Sequence, residues 1–161
     1  GLPFVDADLS QASSLGDGIP LADRYFLLAR LAADPIVRAI EVLAESERST
    51  VFYCAAGKDR TGILAALVLA LLGVDEDTIA ADYALTRAAL TAIVQRLGRS
   101  RGYRAMLAAL PHDTMTAEPA TIVGFLARVR EHAGSVEGFL RDGALAASTA
   151  SRLRARLLEE P

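Results

Sequence analysis

Apolar residues recur at helical spacing along most of this chain, and the breaks between them fall at Gly, Pro, Ser and Asp. The opening stretch through Pro20 reads as loop, with Leu2-Pro-Phe-Val as the remnant of a strand. From Leu21, residues Tyr25, Phe26, Leu28 and Leu31 give a helical stripe. Asp34-Pro35 then predicts a second helix, with the Asp as N-cap, the Pro at the first helical position, and Ile36, Val37, Ile40 and Leu43 as the buried face. Beyond the polar break at Ser46, Thr50-Val-Phe-Tyr-Cys54 is rich in β-branched and aromatic residues and predicts a short strand. The run Ile63–Leu72 has no polar face, which predicts a central helix covered on every side and stopped by Gly73. Asp75, Glu76 and Asp77 suit a helix N-terminus, and a helical stretch follows from Thr78 to Leu97. Another helix opens across Thr116–Pro119 and ends near Gly134. Ser135 caps a short one, and Ser148 precedes a last amphipathic segment with Leu153, Leu157 and Leu158.

A strand that feeds a buried helix through a tight loop implies α/β architecture, with a parallel sheet flanked by helices. One strand makes no sheet. Its partners are therefore expected N-terminal to Gly1 or among residues read as loop, so that 1–161 forms a single, N-terminally incomplete domain. With 52% of residues hydrophobic, the chain buries enough surface to escape disorder. The net charge of −3 gives no basic surface for nucleic acid. Ile63–Leu72 is half the length of a bilayer span, so no integral membrane segment is expected. The start of the chain shows no signal peptide, which points to the cytoplasm or to export without one. A single cysteine excludes a disulfide framework and any multi-cysteine metal site.

That cysteine opens the segment Cys54-Ala-Ala-Gly-Lys-Asp-Arg-Thr-Gly62. Loop amides before a helix N-terminus converge on one point, and the helix dipole adds positive charge there. Lys58 and Arg60 add fixed cations, and Arg60 offers a fork that fits two phosphoryl oxygens. The same field favours the thiolate of Cys54 and makes it a nucleophile near neutral pH. Lys58 is the one lysine among 17 basic residues, and it shares this loop with the one cysteine.

The string Val51-Phe-Tyr-Cys-Ala-Ala-Gly-Lys-Asp-Arg-Thr-Gly62 resembles the phosphate-binding loop of cysteine-dependent tyrosine phosphatases. Its Gly-Lys-Asp-Arg-Thr version is similar to a bacterial atypical branch with secreted, lid-bearing members that act on phosphotyrosine, phosphoserine/threonine and phosphoinositides. Asp82-Tyr-Ala-Leu-Thr-Arg87 and Gly134-Ser-Val-Glu-Gly-Phe-Leu140 extend the resemblance over most of the chain. It implies Cys54 as nucleophile and Arg60, with the amides of Ala55, Ala56, Gly57, Lys58, Asp59 and Arg60, as the cradle of a phosphate or other oxyanion. Thr61 would help the thiol leave, Asp59 would be the general acid, and Lys58 would face the substrate phosphate or a second phosphate on an inositol ring. Neither metal nor cofactor is called for. Expected partners are phosphotyrosine proteins, with phosphoserine/threonine proteins or phosphoinositides close behind. Where the family usually has His before the nucleophile this chain has Tyr53, which predicts a less acidic Cys54.

Bland readings stand beside these. Asp59 is equally a structural carboxylate bonded to the loop, and Asp6, Asp8, Asp17 and Asp23 are alternative acids. Lys58 is alternatively a solvated charge. Residues 78–103 are packed helix or a lid, and Arg96, Arg99, Arg101 and Arg104 are a solvated face or an attraction for anionic substrates and membranes. His112 and His132 receive no role. A phosphopeptide- or phospholipid-binding pseudophosphatase is the non-enzymatic alternative.

Overall fold

The computed structural model describes residues 18–109 and 115–158. The helices, in chain order, are α1 (Leu21–Leu31), α2 (Ala33–Glu45), α3 (Asp59–Leu72), α4 (Glu76–Leu85), α5 (Leu90–Leu97), α6 (Arg101–Ala109), α7 (Pro119–Ala133), α8 (Val136–Asp142) and α9 (Thr149–Leu157), with a 3₁₀ turn at Thr86–Ala89. No strand occurs among the described residues, and this overturns the expected α/β fold and its parallel sheet. The error lies in Thr50–Cys54. β-Branched and aromatic residues suit a pleated surface, but a strand exists only when a second backbone pairs with it. No described residue does so, and Val51 and Tyr53 are 83% and 81% exposed. Leu2–Val5, read as a strand remnant, lies outside the described residues, as do Asp6, Asp8, Asp17 and His112.

The apolar run is the centre of the molecule, as its composition demands. Helix α3 buries Ile63, Leu64, Ala66, Leu67, Val68 and Leu71 and is packed by α1, α2, α4, α7, α8 and α9. Gly73 ends it in the left-handed conformation at φ 89°, which costs glycine little. Asp75 caps α4 by accepting from the Thr78 amide at 2.8 Å, and Ser135 caps α8 by accepting from the Gly138 amide at 2.9 Å. Pro119 opens α7, and Gly134 closes it at φ 73°.

Some boundaries move. Helix α2 starts at Ala33, so Asp34 is not its cap and Pro35 sits inside the first turn, where its missing N–H has no intrahelical partner to lose. Leu31, Leu157 and Leu158, placed on apolar faces by spacing, are exposed. The stretch read as packed helix or lid divides in two. In α4, Ile79, Ala80 and Tyr83 are buried; the 3₁₀ turn and α5 bury nothing fully. Among the described residues no helix is long and apolar enough to cross a membrane.

Candidate active site

The loop from Cys54 bends through residues 55–58 and feeds α3 directly, so its amides and the positive end of the helix dipole meet at one place. Gly57 takes φ 67°, a conformation that side-chain-bearing residues avoid, and this turn lets the loop close. The Gly62 amide then donates to the Lys58 carbonyl at 2.8 Å and starts the helix.

Cys54 is a free thiol and half-buried. Burial pushes its pKa up, but the neighbouring Thr61 hydroxyl and the amides of Thr61, Ala56 and Gly57 favour the anion and bring it below the ordinary thiol value. The Thr61 hydroxyl oxygen is buried and makes no hydrogen bond within ordinary limits among the described residues. Tyr53, next to Cys54 in the chain, is 81% exposed. Ala55, Ala56 and Arg60 are half-buried and Gly57 is exposed. Among the described residues no carboxylate pairs with Arg60.

Lys58 and Asp59 turn elsewhere. Lys58 is 2% exposed, and its ammonium lies 2.7 Å from Asp59 Oδ1 and 3.2 Å from the Tyr25 hydroxyl. The Tyr25 hydroxyl donates to the same Asp59 oxygen at 2.6 Å and meets the Tyr83 hydroxyl at 2.8 Å. The Tyr25 ring is held edge-on between Tyr83 and Phe125, with centroids 6.3 and 6.4 Å away. Burial, then the Asp59 charge, raises the Tyr25 pKa well above the ordinary phenol value. Tyr83 is pushed up to about 12, chiefly by burial. Both phenols therefore keep their protons across the physiological range.

Sequence spacing puts Tyr25 in an apolar stripe and gives neither tyrosine a place in the site; the signal is there, because a phenol inside such a stripe needs a partner for its hydroxyl. Asp23, an alternative acid, is paired with Arg128 at 2.7 Å on the α1–α7 face. His132 lies exposed at the end of α7 against the edge of Phe26.

A profile of the tyrosine phosphatase family matches residues 10–159. The chain is 30% identical over 141 residues to the triple specificity protein phosphatase PtpB of Mycobacterium tuberculosis, an alignment that covers 80% of this chain and 51% of that protein. It is 44% identical over 45 residues to a tyrosine-protein phosphatase of Nostoc commune, covering 28% of this chain and 15% of the other. The chain thus spans about half the length of the mycobacterial relative.

Proposed function

The chain belongs to the tyrosine phosphatase family, and on that premise we propose that it hydrolyses phosphate monoesters through a cysteinyl-phosphate. The observation that carries this reading is the place of the half-buried Cys54 thiol in a loop that turns at Gly57 and runs straight into the N-terminus of α3, with Arg60 in its first turn.

In the first step the Cys54 thiolate attacks phosphorus. An S–P bond forms, the ester P–O bond breaks, and the leaving oxygen takes a proton from the Asp59 carboxyl. The loop amides and the Arg60 guanidinium hold the non-bridging oxygens and stabilise the charge that builds on them. In the second step water attacks phosphorus and gives its proton to Asp59; the S–P bond breaks, and the Thr61 hydroxyl stabilises the departing thiolate. Phosphate leaves. Asp59 rests beside Lys58 as an ion pair.

Phosphotyrosine in proteins is the substrate class we assign. A relative named for triple specificity makes a range that includes phosphoserine/threonine and phosphoinositides the second reading. Turnover of 4-nitrophenyl phosphate, inhibited by vanadate and abolished in Cys54→Ser with phosphate binding retained, is the expected result. Binding without turnover in the parent chain establishes the pseudophosphatase instead. Rates on phosphotyrosine peptides, phosphoserine peptides and phosphoinositide vesicles then rank the substrates.

A further inference from the structure

We propose that Tyr25 is a positioning residue for the reaction: its buried hydroxyl pins one oxygen of Asp59 and leaves the other to carry the transferred proton. The inference rests on the phosphatase reading above and assigns a group outside the phosphate loop.

The hydrogen-bond count carries it. A phenol has one proton, and Tyr25 gives it to Asp59 Oδ1 at 2.6 Å. In its contact with Tyr83 it must therefore accept, so the donation runs from Tyr83 to Tyr25 to Asp59. Lys58 supplies a second donor to the Tyr25 oxygen. The hydroxyl is then saturated, and the ring that carries it is fixed on two edges by Tyr83 and Phe125. Both donors to Asp59, Tyr25 and Lys58, land on Oδ1. The Asp59 side chain remains 32% exposed, and no described residue bonds its Oδ2.

A carboxylate rotates about its last torsion between two nearly equivalent states. Tyr25 removes that equivalence. It does so from α1, 34 residues before Asp59 in the chain, while the ion pair comes from Lys58, the neighbouring residue. Among the described residues Tyr25 is the side chain of another helix that bonds the acid, and misplacement of a reacting group by about 1 Å costs on the order of 100-fold in rate.

The test compares phenyl phosphate, a poor leaving group, with 4-nitrophenyl phosphate, a good one, in the parent, Tyr25→Phe, Asp59→Asn and the double variant. Tyr25→Phe is expected to lose about tenfold in kcat on phenyl phosphate and under twofold on 4-nitrophenyl phosphate, with KM and vanadate inhibition unchanged. The double variant is expected to be no slower than Asp59→Asn, because Tyr25 acts through that residue. Equal losses on both esters, or losses that multiply in the double variant, overturn the proposal. A flat response in Asp59→Asn also overturns it, through the acid assignment. A parent chain that hydrolyses neither ester overturns the phosphatase reading and this proposal together. Should Tyr25→Phe not fold, Tyr83→Phe removes only the outer donor; the same selectivity at smaller size is expected, and a flat loss there counts against the proposal.

Discussion

The ring of Tyr83 lies so close over Gly62 that a β-carbon at that glycine would stand 2.9 Å from two ring carbons. This contact between α4 and α3 brings the Tyr83 hydroxyl to Tyr25, and so couples the start of α3 to α1. Alanine in a helix normally stabilises relative to glycine by about 1 kcal/mol. At position 62 the clash outweighs this, since overpacking costs about 1–3 kcal/mol. Gly62→Ala is expected to lower stability by roughly 1 kcal/mol, and the sign to reverse in a Tyr83→Leu background. Denaturant midpoints of the four proteins check it; a stabilised Gly62→Ala single variant refutes the contact.

The burial of Lys58 separates its two roles. Held 2.7 Å from Asp59 and 3.2 Å from Tyr25, its ammonium serves the protein's own carboxylate. Lys58→Met leaves that carboxylate with Tyr25 alone, and losing one partner of a buried pair costs about 1–3 kcal/mol or more. Stability is expected to fall while KM for a monophosphate ester stays within about twofold, a difference below 0.5 kcal/mol. If urea titration finds the stability intact and the kinetics show a raised KM, the lysine faces the substrate after all.

Much of this was legible in the sequence. An apolar run with no polar face announced α3, and Gly73 and Asp75 marked its end and the next helix's start because their chemistry is local. The loop from Cys54 to Thr61 was legible for the same reason. The sheet was not, because Thr50–Cys54 carries strand-like residues whose state depends on a partner that local sequence does not encode. Tyr25 and Tyr83 escaped notice for a related reason: hydroxyls 58 residues apart meet only through the packing of α1 and α4 on α3.

Gly57 offers a test of loop geometry without crowding. Its φ is 67°, yet nothing lies within 4 Å of where a β-carbon would stand. Gly57→Ala therefore meets strain alone, about 1–2 kcal/mol, and the chain relieves it by rotating amides out of the cradle. Vanadate inhibition is expected to weaken roughly tenfold, the equivalent of about 1.4 kcal/mol, with little loss of helical signal by circular dichroism. Unchanged vanadate affinity would show that the loop amides do not grip the oxyanion.

The last prediction concerns the sulfur. Burial alone would hold Cys54 as a thiol, and the neighbouring Thr61 hydroxyl is the largest of the influences that lower its pKa. A donor to the anion favours the thiolate, so removing it raises the thiol pKa and moves reactivity to higher pH. Thr61→Val keeps the shape and deletes the donor; Thr61→Ser restores it. Because this chain has one cysteine, the rate of iodoacetamide alkylation reports Cys54 alone. Thr61→Val is expected to alkylate more slowly than the parent at pH 7 and to reach the parent's rate in alkali, with Thr61→Ser close to the parent throughout. In the proposed mechanism the same hydroxyl stabilises the thiolate as it leaves the intermediate, so Thr61→Val should also show a burst of phenol followed by a slowed steady state. Coincident alkylation profiles for the three proteins would place the stabilisation in the loop amides, and absence of the burst would remove the hydroxyl from the second step.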